Sequence, residues 1–159
     1  MKKLVIAVLF LGMCIPAHAD DTGLETYITG FDYAARKEMK IDSEGLIELL
    51  EEGRAQLIDI RFSEEYEAWK VGPSINIPLN ELPARLDEID RTKIVVTACP
   101  HKDRATIAMV YLRSRGIPAK YLTDGLIGLA ENLRGDNAKN FIQYINRPTA
   151  TSEAPKKQK

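Results

Sequence analysis

The chain has 159 residues, of which 45% are hydrophobic and 28% charged, with 22 Lys and Arg against 23 Asp and Glu. That length fits one domain. The near-neutral balance implies no basic surface suited to nucleic acid.

In chain order, Lys2 and Lys3, the apolar run Leu4 to Ile15 and the triplet Ala17-His18-Ala19 form a secretory signal pattern with a cut expected after Ala19. The apolar run is shorter than the roughly 20 residues a membrane-spanning helix needs. The expectation is therefore export, to the bacterial periplasm, as a mature chain without a transmembrane segment. Met13 precedes Cys14 where a lipoprotein signal has a small residue. Cleavage takes 19 of the 159 residues and leaves 140, with 20 basic against 23 acidic side chains. It also removes Cys14 and leaves Cys99 as the single thiol. One cysteine forms no intramolecular disulfide, so an exported chain has either buried that thiol or uses it.

Residues 20–40 read as a lead-in of modest order, anchored by Tyr27, Ile28 and Phe31, with Asp32 capping a short helix. The main domain is expected over 41–146. Ser43 caps a helix whose stripe is Leu46, Ile47, Leu49 and Leu50, stopped at Gly53. Gln56 to Arg61 reads as a short buried strand that delivers Asp59 and Arg61 at its C-terminal end, where open α/β sheets bind ligands. Ser63 caps an acidic helix through Trp69, and its stripe Phe62, Tyr66 and Trp69 reads as core packing. A very short strand at 75–77 ends at Pro78. Asn80 caps a helix from Glu81 to Ile89, with Pro83 in its first turn. A strand at 93–97 and a helix at 104–115, closed by Gly116, flank the loop that begins at Cys99. A strand at 119–122 leads to a helix stopped at Gly135, and Asp136 caps a last helix carrying Phe141, Ile142 and Ile145. Strands alternating with helices point to one α/β domain on a parallel sheet. Residues 147–159, with Pro148, Pro155 and three lysines, read as a flexible basic tail.

The stretch Cys99-Pro100-His101-Lys102-Asp103-Arg104 carries the chemistry. A cysteine at a strand end and an arginine at a helix start bracket a loop whose N–H groups can converge on one point, an anion cradle around a thiol. Lys102, Arg104 and the helix N-terminus favour thiolate, so a depressed thiol pKa is expected. Pro100 has no N–H to give, His101 is a candidate proton donor or anion contact, and Asp103 opposes a dianion unless turned away or paired. One mature cysteine and no paired histidines leave no zinc site, and no cofactor is implied.

Leu57-Ile58-Asp59-Ile60-Arg61, then Glu65-Tyr66, Asn76-Ile77-Pro78, Glu81-Leu82-Pro83-Ala84-Arg85-Leu86 and finally Cys99-x-x-x-x-Arg104 together resemble the single-domain rhodanese-like sulfurtransferases over about residues 43–134. The resemblance implies a three-layer fold, a five-stranded parallel sheet flanked by helices, whose fifth strand falls near Met39-Lys40-Ile41. It implies that Cys99 takes a sulfane sulfur from a small sulfur-containing anion such as thiosulfate or a polysulfide, holds it as a persulfide, and yields it to a thiol, cyanide or protein acceptor. Pro100 to Arg104 would form the anion-binding loop. Asp59 and Arg61 would fix that loop through a charge pair with Arg104 or with a helix end. Phosphatases related to this fold carry a loop one residue longer, so the spacing favours sulfur over phosphate. The alternative is a non-catalytic rhodanese-like module that binds sulfide-derived species or a protein partner, for which Pro100, Asp103 and the basic tail are the motivation. Thiol redox work lacks a resolving cysteine within the chain.

Overall fold

The computed structural model describes residues 22–146; the expected signal and the basic tail lie outside the described residues. Two short helices, α1 (Thr22–Thr29) and α2 (Tyr33–Glu38), precede β1 (Lys40–Ile41). Asp32 caps α2 by accepting from the Ala35 N–H at 2.8 Å. Then follow α3 (Ser43–Glu51), β2 (Ala55–Asp59), α4 (Ser63–Ala68) and β3 (Ile75–Asn76). The C-terminal half holds β4 (Ile94–Ala98), α5 (Asp103–Ser114), β5 (Ala119–Leu122), α6 (Gly125–Asn132) and α7 (Gly135–Ile145). The five strands form one parallel sheet in the order β1-β5-β4-β2-β3. The fifth strand is β1, at the place the family resemblance implies.

Strand alternation assigns side chains to the two faces. Val95 and Cys99 join Ile58, Ile60, Ala105, Met109 and Leu112 in one core. Val96 and Ala98 join Leu46, Leu57, Leu126 and Leu129 in the other. A parallel sheet covered on both faces has this need for near-continuous apolar strands.

Several local expectations are corrected. Asp42, not Ser43, caps α3, accepting from the Gly45 N–H at 3.0 Å, while Ser43 is buried as the first helical residue. Phe62 holds the N-cap position of α4 in place of Ser63. Its side chain has no acceptor, and the Glu65 carboxylate reaches back to take its N–H at 3.2 Å. Phe62 and Trp69 are exposed rather than core, because α4 lies at the rim of the sheet and spans only six residues. Ile28 and Phe31 are likewise on the surface and Tyr27 half-buried, since α1 turns a single face to α5. Residues 81–89 form two 3₁₀ turns, Leu82–Ala84 and Leu86–Glu88, instead of one helix. Arg85 at φ −122° interrupts the helical run between them, and Pro83 supplies no N–H to extend it. Gly135, at φ +56°, begins α7 instead of ending α6, and Arg134 rather than Asp136 holds its N-cap. Phe141 is buried beneath α7, whereas Ile142 is exposed.

Candidate functional site

Cys99 lies one residue beyond β4, at the C-terminal edge of the parallel sheet. That edge is where the strands of an open α/β sheet present their ligand-binding loops. The cysteine is 0% exposed. Its carbonyl accepts from the Leu126 N–H at 2.9 Å, and the Pro100 carbonyl from the Ile127 N–H at 3.4 Å, so the first turn of α6 grips the back of the loop. The contact is close because residue 125 is glycine. At φ +65°, a Cβ there would overlap the carbonyl oxygens of Pro100 and His101. On the other side, the Thr97 hydroxyl bonds the Ala105 carbonyl at 2.8 Å and the Lys120 carbonyl at 3.2 Å, tying β4 to the start of α5 and to β5.

With the Cys99 and Pro100 carbonyls turned toward α6, the backbone amides of His101 and Ala105 act on the Cys99 sulfur and favour its charged form. These two are the amides that the loop brings to the thiol. The expected depression of the thiol pKa is absent. Burial pushes it up, the Ala105 amide opposes that rise, the Asp103 carboxylate adds to it, and the His101 amide opposes it. Helix-terminal amides and nearby basic residues suggest a thiolate from sequence; depth and the rotamer of Asp103 reverse the balance.

Asp103 is the first residue of α5 and is exposed, with its carboxylate turned inward to the thiol. The Cys99 thiol donates to Asp103 Oδ1 across 3.4 Å. The Arg104 N–H, the thiol and its own N–H hold the Asp103 carboxyl below the usual carboxylate range. Arg104, half-buried, sends both guanidinium nitrogens to Glu65: Nη1 donates to Oε2 at 2.7 Å and Nη2 to Oε1 at 2.9 Å. Such bidentate pairs fix direction as well as charge. The pair lowers the Glu65 pKa and raises that of Arg104. His101 and Lys102 are exposed, and the Lys102 carbonyl closes the first turn of α5 by accepting from Thr106.

Asp59 and Arg61 meet each other instead of Arg104. Both side chains are 0% exposed, with Arg61 Nη2 donating to Asp59 Oδ2 at 2.6 Å and Nε to Oδ1 at 2.9 Å. Arg61 also donates to the Glu65 carbonyl at 3.2 Å and the Trp69 carbonyl at 2.7 Å, and its guanidinium lies 4.1 Å from the centre of the Trp69 ring. The helix end it reaches is that of α4. The chain of contacts runs from the buried pair to α4, from α4 through Glu65 to Arg104, and so to the loop. Glu65, Trp69 and Gly125 are the supporting residues that residue-by-residue reading of the sequence does not single out. Glu65 left one signal, an acidic residue four positions after Arg61, and Gly125 another, a glycine in the Thr-Asp-Gly turn.

An α/β domain with a buried cysteine cradled at the C-terminal edge of its central parallel strand defines a class in which a thiol sits among backbone amides. A family model described as Rhodanese-like domain matches residues 42–132. That is more than half of the chain, which belongs to the rhodanese-like family. Over 111 residues the chain is 31% identical to the HTH-type transcriptional regulator Rv0324 of Mycobacterium tuberculosis, covering 69% of this chain and 49% of the regulator. The chain spans about half the length of the curated relatives it matches. Among solved structures, reduced CoADR-RHD of Bacillus anthracis superposes with a TM-score of 0.56 at 28% identity, over 64% of this chain and 19% of that one. Thiosulfate sulfurtransferase of Pseudomonas aeruginosa superposes with a TM-score of 0.56 at 23% identity, over 77% of this chain and 26% of that one; this likeness concerns the fold. No helix of the described residues is long and apolar enough to cross a membrane.

Proposed function

We propose that this protein is an exported sulfurtransferase or sulfane-sulfur carrier in which Cys99 forms a persulfide. The observation that carries the reading is a cysteine buried at the C-terminal edge of the sheet, one residue beyond the central strand β4, with the backbone amides of His101 and Ala105 favouring its charged form. After the thiol is deprotonated, Cys99 attacks the outer sulfur of the donor. The donor S–S bond breaks, its electron pair leaves with sulfite or a shorter polysulfide, and Cys99 keeps the sulfur as a persulfide. The two amides stabilise the negative charge that the persulfide gains on losing its proton. An acceptor nucleophile, such as cyanide or a thiol, then removes the outer sulfur and returns the thiol. The signal-like pattern of residues 1–19 supports export, and sulfur chemistry in that compartment is consistent with a single unpaired thiol.

Purified mature protein incubated with thiosulfate or polysulfide should gain the mass of one sulfur atom, localised to Cys99 by peptide mapping and absent in Cys99→Ser. A Cys99 that stays reactive to alkylation yet takes up no sulfur from either donor refutes the reading. Intact mass of protein recovered from the exported fraction should correspond to a chain beginning at Asp20.

A further inference from the structure

Asp103 stands where a free anionic donor has to arrive. Its Oδ1 is 3.4 Å from the Cys99 sulfur, on the side open to solvent, since Cys99 itself is fully buried while Asp103 is exposed. The cation that could offset it, Arg104, has both of its terminal nitrogens engaged by the Glu65 carboxylate. Pro100 gives no N–H, and His101 and Lys102 are exposed. The approach to the sulfur thus passes a carboxylate whose neighbouring arginine charge is already matched by another acid.

We infer that Asp103 is the specificity-determining residue of this site, a charge filter that favours organic sulfane-sulfur donors of low charge, such as thiosulfonates or hydropersulfides, over the thiosulfate dianion. The inference rests on the sulfur-transfer reading and names the donor class for it. For a thiosulfonate the balance is Cys99–SH + R–SO₂–S⁻ → Cys99–S–SH + R–SO₂⁻. The donor S–S bond breaks, its electron pair leaves with the sulfinate, and the transferred sulfur and the thiol proton both end on the persulfide, so no outside oxidant is needed. A donor in contact with the sulfur lies about 5 Å from the Asp103 carboxylate. In a water-like medium one unit of like charge at that distance disfavours approach about fourfold.

The test uses near-isosteric donors that differ by one charge, methanethiosulfonate and thiosulfate, on mature protein and on Asp103→Asn. Persulfide loading of Cys99 is followed by mass spectrometry. The wild-type preference for methanethiosulfonate should narrow about fourfold in Asp103→Asn, the effect of one unit charge at that range. In parallel, the ratio of Cys99 alkylation rates by neutral iodoacetamide and anionic iodoacetate should narrow by a similar factor. Added salt should shrink the wild-type ratio and leave that of Asp103→Asn nearly unchanged. Ratios cancel any change in thiol ionisation, which a merely structural role would alter equally for both reagents. If Asp103→Asn does not fold, Asp103→Ser, which puts a small neutral polar side chain at the first position of α5, serves in its place. Unchanged ratios in a folded variant overturn the filter. Wild-type protein that loads sulfur from neither donor while the alkylation ratio still responds to residue 103 refutes the sulfur-transfer reading and keeps the charge filter.

Discussion

Replacing Arg61 with methionine keeps much of the side-chain volume and removes every polar contact the guanidinium makes. Asp59 then stays at 0% exposure without its cation, and the Glu65 and Trp69 carbonyls lose the donors that come to them at 3.2 and 2.7 Å. Breaking a buried pair from one side costs about 3–5 kcal/mol, because the surviving charge remains desolvated. At about 4 °C per kcal/mol for a domain of this size, the melting temperature should fall by roughly 12–20 °C. The assay is urea and thermal unfolding of wild type, Arg61→Met, Asp59→Leu and the double variant, read as a cycle. The double variant should recover at least half of the loss, since two apolar side chains can share the space that one stranded charge cannot. An Arg61→Met variant that loses less than about 1 kcal/mol, or single effects that add in the double variant, would show that the buried pair is not the support of α4.

The remaining predictions concern the loop and its neighbours. Gly125→Ala should displace the Pro100–His101 turn and lower the rate of persulfide loading by more than the melting temperature alone explains, as measured by pairing loading kinetics with thermal melts. Alkylation of Cys99 by iodoacetamide should rise with pH through a midpoint above the ordinary thiol value of about 8.5, because burial, with Asp103 adding to it, favours the protonated form. The midpoint should drop in Asp103→Asn; a wild-type midpoint below that of free cysteine contradicts the burial argument. Glu65→Gln should cost only about 0.2–1 kcal/mol at neutral pH, since the pair with Arg104 is partly solvated. The Glu65 pKa is depressed in the folded state, chiefly by the Arg104 hydrogen bond, so its contribution is present above the unfolded carboxyl pKa and disappears as pH falls through the folded one. Wild type and variant should therefore converge in urea midpoint on acidification. Freeing Arg104 in the same variant should speed thiosulfate loading relative to wild type.

How much of this was legible in the chain depends on the length scale of the cause. The strand at residues 94–98 follows from the β-branched run Ile94-Val95-Val96-Thr97, and those at 55–59 and 119–122 from short segments whose Leu57, Ile58 and Leu122 are buried, so local pattern and the need to cover both faces of the sheet agree. The two-residue strand at Lys40–Ile41 has no such pattern. It is held by pairing with Tyr121 and Leu122, a long-range contact that only the family resemblance anticipates. Caps shifted by one residue at α3 and α4 because Asp42 and Ser43 compete for one role, and at α4 the cap is supplied from three residues ahead by Glu65. At the loop, spacing identifies Cys99 and Arg104, but the rotamers decide which acid meets which group. Asp103 turns to the thiol and Glu65 takes the arginine, an exchange settled by the position of α4, which in turn depends on the buried contact of Arg61 with its end.

The outermost strands, β1 and β3, are each two residues long, and Pro78 stands two residues beyond the end of β3. The Asn76 side chain further occupies the Asp59 and Arg61 carbonyls, at 3.0 and 2.9 Å. A sheet that tapers in this way offers another chain only a couple of backbone groups at either border, too few to template strand addition. The centre of the sheet carries the buried valines and isoleucines that would be most prone to cross-β association, and the stubby borders keep them from becoming a growing edge.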